Sequence, residues 1–317
     1  MTLLHAIGDG AVATMSAKHF PIRKIALGPP DTILDRRDDG TILIRSPHAL
    51  GPHPAKLGER LVHWARETPG QKFLAKRDAL GTWRTLTYAQ TLMLVRGLGQ
   101  ALLDRGLNAE RPLAILSGND LEHALLALAA MHVGVPYSPI SSAYSLVSTD
   151  HAKLRYILDL LQPGLVFAAN GERYAKAIAA ALPRNCELAV TEAAPRNRDA
   201  TLFKDLPKQP TGNALDDAYA AVTADTVAKI LFTSGSTGQP KGVINTQRML
   251  CSNQEMLVKT LPFLREVRPV LVDWLPWNHT FGGNHNFGLV IYNGGTLYID
   301  DGRPVPGLFE ETVRNLR

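Results

Sequence analysis

Residues 231–245 read LFTSGSTGQPKGVIN, and the interpretation of the whole chain turns on them. The run VAKILF at 227–232 predicts a buried strand. Ten residues follow, 233–242, with three glycines, four hydroxyl side chains and one lysine. Glycine lets the backbone approach an anion closely and adopt positive φ, so successive N–H groups can converge on phosphate oxygens. Thr233, Ser234, Ser236 and Thr237 add hydroxyl groups, and Lys241 brings a mobile positive charge. Charge-assisted hydrogen bonds of this kind contribute roughly 1.5–3 kcal/mol each. A strand ahead, a lysine at the far end and a Gly-Val-Ile strand beyond favour a polyphosphate cradle over a Ser/Gly-rich surface linker.

The cradle differs from a Walker loop, which needs its lysine directly after a glycine and a hydroxyl directly after that lysine. Here Lys241 follows Pro240 and precedes Gly242. The magnesium-binding hydroxyl is therefore missing from its place, which argues against a Walker-type phosphohydrolase.

Upstream, the pattern alternates between strand and helix. Residues 57–66 have helical spacing at Leu57, Leu61, Trp64 and Ala65. A hairpin is predicted from 72–76 and 83–86, and Thr87 with Gln90 forms a capping-box pair opening a helix. LAIL at 113–116 reads as a buried strand, followed by a helix capped by Asn119 or Asp120 and running to His132. Further strands are expected at 135–140, 165–168 and 187–190, with helices at 150–161 and 174–182. This alternation predicts an α/β fold with mainly parallel sheets flanked by helices. Residues 193–217 read as a linker or long loop, and residues 1–50 as an irregular extension with one strand-like run at 41–44. Residues 271–272 read as strand, with 276–283 as a loop at its end, where ligands of open α/β sheets sit.

Composition narrows the alternatives. The 317 residues carry a net charge of +5, a small excess that suits anionic ligands. The basic spots at Arg36-Arg37 and Arg196/Arg198 lack interleaved aromatics, against a nucleic-acid surface. Cys186 and Cys251 make neither a disulfide framework nor a metal site. Residues 1–15 have no basic leader region and carry Asp9, and no run approaches the ~20 apolar residues that span a bilayer. A soluble, cytoplasmic protein without a membrane partner is expected.

The string at 233–242 resembles the phosphate-loop signature T-S-G-[ST]-T-G-x-P-K-G of the adenylate-forming superfamily, which includes acyl- and aryl-CoA synthetases, adenylation domains and firefly-type luciferases. Every fixed place is filled. Leu86-Thr87-Tyr88 and residues 132–139 look like two structural motifs of the same family. Leu275, Pro276, His279 and Gly282 match its L-P-x-x-H-x-x-[GA] loop.

The resemblance implies that Thr233, Ser234, Gly235, Ser236, Thr237, Gly238 and Lys241 bind ATP phosphates with Mg²⁺. It implies that Trp277, His279, Phe281 and Gly282 line the pocket of a small-molecule carboxylic acid, with Lys241 and His279 as catalytic residues and CoA as acceptor. Residues 272–301 look most like feruloyl-CoA synthetases, which activate hydroxycinnamates. Trp277, Phe281, Phe287 and Tyr292 could then supply a flat aromatic pocket, some of them serving as core instead.

The family's later motifs, an adenine-and-magnesium Y-G-x-T-E, a ribose T-G-D and a lysine-bearing lid, are not found before Arg317. Residues 308–317 look like the opening turns of an amphipathic helix. The expectation is an incomplete, truncated large AMP-binding domain at 51–317, which leaves open whether the isolated chain is an enzyme. An adenylation domain loading a carrier protein, or a non-catalytic nucleotide-binding fragment, remain as alternatives.

Overall fold

The apolar runs become two sheets in the computed structural model, which describes residues 24–207, 210–233 and 238–317. β1 (Ile33–Arg36) and β2 (Ile42–Arg45) form an antiparallel pair. After them come α1 (Gly58–Glu67), β3 (Lys72–Arg77), β4 (Trp83–Thr87) and α2 (Tyr88–Asp104). The alternating section holds β5 (Leu113–Leu116), α3 (Leu121–His132), β6 (Tyr137–Pro139), α4 (Ala143–Leu146), α5 (Ala152–Leu161), β7 (Leu165–Asn170), α6 (Ala175–Ala181), β8 (Glu187–Glu192) and β9 (Thr201–Leu202). Next are α7 (Asn213–Ala221), β10 (Val227–Thr233), β11 (Lys241–Thr246) and α8 (Gln247–Thr260). β12 (Val270–Asp273), a π-helical turn at Phe281–Asn286, α9 (Phe287–Tyr292), β13 (Thr296–Ile299) and α10 (Phe309–Leu316) close the series.

The larger sheet has seven strands in the order β11-β10-β6-β5-β7-β8-β9, parallel except for β10–β11. The smaller sheet runs β12-β13-β3-β4 and is parallel except for the β3–β4 hairpin. The expected mainly parallel α/β fold is what forms.

Alternation along the central strands divides the core. Leu113, Ile115, Leu165 and Phe167 face one layer with α2 and α3, while Ala114, Leu116, Val166 and Ala168 face another with α5 and α6. A sheet covered on both faces needs apolar residues at both parities, which is why these strands read as unbroken apolar runs.

Local signals set several boundaries. Thr87 Oγ1 accepts from the Gln90 N–H at 3.2 Å and Gln90 Oε1 accepts from the Thr87 N–H at 2.9 Å, a complete capping box. The next residue, Tyr88, is wholly buried, and its hydroxyl donates to the Gly295 carbonyl at 3.0 Å, tying α2 to the smaller sheet. Of the two candidate caps for α3 it is Asp120 that serves, accepting from the Leu121 N–H at 2.7 Å.

Four expectations need correction. Residues 193–217 are not one loop: they hold β9, a 3₁₀ turn at Phe203–Asp205 and the start of α7. These elements are short, and within α7 the buried residue is Leu215, which leaves little periodicity to read. The strand expected at 135–140 is shorter, Tyr137–Pro139, with the Pro136 carbonyl and the Ile140 N–H bonding β5 at its two ends, while the Val135 N–H is turned back to the Ala130 carbonyl of α3. The supposed loop at 276–283 enters the π-helical turn at Phe281. Within residues 24–50 the strand-like run at 41–44 forms β2 as expected, but it pairs with β1 at Ile33–Arg36, which was read as irregular. Among the described residues no helix is long and apolar enough to cross a membrane.

α3 ends on His132, whose ring stacks on Tyr219 with centroids 4.3 Å apart and whose two ring nitrogens find no partner among the described residues. Burial, reinforced by Arg96 and Lys56 and opposed by Asp216, pushes its pKa down to about 4. The unfolded chain would protonate this histidine near its ordinary 6.5 while the folded chain does not, so folding stability is lost as pH falls through that window. The His132 share of the loss is up to about 3 kcal/mol. His132→Phe is therefore expected to lose less stability than the wild type between pH 6.5 and 4, measured by urea denaturation at both values. Equal losses would show that His132 carries no linked proton.

Candidate active site

β10 and β11, which flank residues 234–240, form a hairpin at the margin of the larger sheet. β10 leads into it parallel to β6, and β11 returns antiparallel, with Thr233 opposite Lys241 and Phe232 opposite Gly242. The register therefore brings a hydroxyl and an ammonium side chain to one end of the ladder, both exposed. Gly238 has φ +85°, in the left-handed region that L side chains rarely adopt, and a Cβ there would meet nothing within 4 Å. Backbone geometry, not crowding, selects glycine at this position. Ser234, Gly235, Ser236 and Thr237 lie outside the described residues.

A cleft of about 420 Å³ opens beside this hairpin, between β11, α8 and the π-helical turn. Asn245, Met249, Leu250, Phe281, Asn284 and His285 contribute to its walls, giving an apolar side with an amide rim. Asn245 pairs with Lys229 in the β10–β11 ladder, four residues before Thr233. At about 3.3 Å per residue the cleft lies roughly 13 Å along the strand from the end of β10.

The π-helical turn is defined by the Phe287 N–H, which donates to the Gly282 carbonyl five residues back. Such turns are uncommon and concentrate at functional sites. Three side chains from other elements hold it. Lys229 Nζ donates to the Gly283 carbonyl at 2.9 Å, Gln254 Nε2 to the Asn284 carbonyl at 2.8 Å, and Asn284 Nδ2 to Asn245 Oδ1 at 2.8 Å. Asn119 fixes the preceding segment, donating from Nδ2 to the Leu275 carbonyl at 2.8 Å and accepting the Trp277 N–H at 3.1 Å.

The expected pocket residues separate into three positions. Phe281 lines the cleft and is 57% exposed. Trp277 is turned inward, its ring edge-on to His123 at 5.0 Å and to Phe287 at 5.2 Å. His279 is exposed on the turn; its N–H donates to the Pro276 carbonyl and its carbonyl accepts from Gly283, but it is not among the cleft residues. Gly282 is buried against the Leu275 and Pro276 carbonyls. Phe287 and Tyr292 are core, the Tyr292 hydroxyl donating to Glu255 Oε2 at 3.0 Å.

His285, which the L-P-x-x-H-x-x-[GA] match does not include, stands on the cleft wall with its ring 5.0 Å from that of Phe281. Lys229 and His123 went unnoticed in the sequence. His123 Nδ1 pairs with the Gly118 carbonyl at 2.9 Å, and burial pushes its pKa down to about 4, so it is neutral beside Trp277. Lys229 did leave a trace, as the one charge within an apolar strand run. Among the described residues no cluster of three or more His, Cys, Asp or Glu side chains is placed to hold a metal ion.

The site thus combines a strand hairpin joined through a glycine- and hydroxyl-rich segment with a half-apolar cleft beside it, on an α/β fold with mainly parallel sheets. A model of the AMP-binding enzyme family matches residues 61–317, and the chain belongs to that family of adenylate-forming proteins. It is 28% identical over 200 residues to 4-coumarate--CoA ligase-like 9 of Arabidopsis thaliana, covering 62% of this chain and 33% of that protein. It is 28% identical over 255 residues to the hybrid PKS-NRPS synthetase thnA of Trichoderma harzianum, covering 80% of this chain and 6% of that one.

Among solved structures, a putative long-chain-fatty-acid CoA ligase from Rhodopseudomonas palustris shares the fold with TM-score 0.63 at 22% identity, over 77% of this chain and 57% of that one. ATP-bound MatB from the same organism does so with TM-score 0.57 at 23% identity, over 82% and 47%. The chain thus spans from a few per cent to about half of these relatives' lengths.

Gly283 gives the site a direct test. A methyl group there would overlap the Trp277 carbonyl oxygen, so the turn can nest against the preceding segment only with glycine. Gly283→Ala is expected to lower stability by about 1–3 kcal/mol, read as a fall in the urea midpoint. An unchanged midpoint would show that the two segments are free to separate.

Proposed function

We propose that this chain carries out acid activation: ATP and an aromatic, hydroxycinnamate-type carboxylic acid give an acyl-adenylate, which CoA converts to the thioester, as in a feruloyl-CoA synthetase-like ligase. The observation that carries the reading is the shared hairpin. Its loop end bears the hydroxyls and Lys241, and its β11 contributes Asn245 to the apolar cleft.

A carboxylate resists thiolate attack because it is anionic and resonance-stabilised. In the first step a carboxylate oxygen attacks the α-phosphorus of Mg²⁺-bound ATP, and pyrophosphate leaves with the electron pair of the broken P–O bond. In the second, the CoA sulfur attacks the acyl carbon and AMP departs. The protein's share in the first step is positioning and neutralisation of phosphate charge.

The residues assigned to it are Thr233, Ser234, Gly235, Ser236, Thr237, Gly238 and Lys241, around the β- and γ-phosphates. The hydroxyls act as donors, not nucleophiles. Phe281, with Met249 and Leu250, supplies the apolar surface for the acid's ring. His279 and Gly282 belong to the segment bearing Phe281, and we assign His279 to the approach of the carboxylate. Trp277 would support this segment from beneath.

A second reading, an adenylation domain that loads a carrier-bound thiol in place of CoA, is supported by similarity to synthetases such as the Trichoderma protein. Product analysis with CoA and with a phosphopantetheinyl carrier distinguishes the two.

Lys241→Ala is expected to reduce ferulate-dependent ATP–pyrophosphate exchange by roughly 100-fold or more, since it removes a charge from the departing pyrophosphate. Retained exchange would remove Lys241 from the site. Exchange absent in the wild type with every acid tried would overturn the assigned activity.

A further inference from the structure

Lys229 is a cation in the interior, 2% exposed, in the middle of β10. Its ammonium lies 5.5 Å from the centre of the Tyr137 ring and donates to the Gly283 carbonyl at 2.9 Å. Burial alone holds its pKa down to about 7. Enclosing an ammonium costs several kcal/mol, and a methionine would fill much the same space without that penalty. What the lysine supplies and a methionine cannot is a donor aimed at a main-chain carbonyl 54 residues further along the chain.

That carbonyl belongs to the π-helical turn, whose Phe281, Asn284 and His285 form one wall of the cleft. Gln254, itself 1% exposed, holds the next carbonyl, and Asn245 holds the Asn284 side chain. β10, β11 and α8 therefore each grip successive groups of one turn. Lys229 and Thr233 also share a face of β10, because residues of equal parity point the same way. One strand thus bears the phosphate loop at its end and the anchor of the cleft wall four residues earlier.

We propose that Lys229 is a positioning residue for the acid cleft: by bonding the Gly283 carbonyl it sets the cleft-facing side chains of the turn at a fixed height relative to the phosphate loop. The identity of the cleft's occupant rests on the acid-activation reading above.

The test compares the wild-type chain with Lys229→Met, which keeps the bulk and removes the donor, and with Lys229→Gln, which keeps a donor on a slightly shorter arm. Lys229→Met is expected to fold with an equal or higher urea midpoint. Amide hydrogen exchange at residues 283–288 should speed up at least tenfold, while amides of β10 and β11 keep their protection. The dissociation constant for ferulate should rise about tenfold and that for Mg²⁺-ATP should stay within twofold. Lys229→Gln should fall between the two proteins in both readouts.

Unchanged exchange at 283–288 would overturn the proposal, as would a parallel loss of ATP and ferulate affinity, which marks a general structural role. The exchange measurement needs no ligand. A wild type that binds Mg²⁺-ATP but no acid would therefore sink the acid-activation reading and leave the lysine to be judged on its own.

Discussion

Buried main-chain carbonyls need donors, and the candidate site is arranged around meeting that need in one widened helical turn. At Phe281–Asn286 the backbone follows a π pattern, and the Gly283 and Asn284 carbonyls take side-chain donors from Lys229 and Gln254. A regular helix would satisfy its carbonyls internally and present side chains every 3.6 residues. The wider turn changes the directions of Phe281 and His285, whose rings meet edge to face at 5.0 Å on the cleft wall. Gly283, with no Cβ to strike the Trp277 carbonyl, permits the close packing.

The two sheets share an apolar core, and at the carboxyl ends of their strands a small set of polar contacts joins them as well. Asn119, between β5 and α3, binds Leu275 and Trp277 beyond the end of β12, while Lys76 at the end of β3 donates to the Asn119 carbonyl at 2.7 Å. The carboxyl ends of β3, β5 and β12 are thereby brought to one junction. α10 is docked nearby by polar groups, with Thr312 and Asn315 bonding the Asp300 carboxylate and Arg77 donating to Asn315 Oδ1 at 2.6 Å. Asp300 lies just after β13, so the smaller sheet and the last helix share an anchor as well.

Much of this architecture can be read from the chain itself, because its determinants are local. The Thr87–Gln90 box spans three residues, and the helix face of Leu154, Ile157, Leu158 and Leu161 is a spacing visible without a partner. The β10–β11 hairpin is similarly legible, since two strand-like runs flank one short run of glycines and hydroxyls. The distribution of roles within 276–287 is not. Whether Trp277 faces a ligand or the core depends on His123 in α3 and on the Asn119 clamp, both about 150 residues away. The same holds for His279 and His285, whose places at the turn follow from a π pattern that has no simple compositional mark. Lys229 left only the trace of one charge in an apolar run and was passed over, because its meaning lay in a carbonyl far along the chain. β9 and α7 escaped notice because elements this short bury too few side chains to impose a period.

Among the described residues β11 has a sheet neighbour on one side, and its Val243 and Ile244, one on each face, are 46% and 55% exposed. A margin strand with exposed apolar side chains is a template for strand addition between molecules. The β10–β11 hairpin thus also offers a seed for strand addition in crowded or partly unfolded populations of this chain. Any ligand that binds only the native form would oppose such misassembly by stabilising that form, which would couple solubility to ligand occupancy.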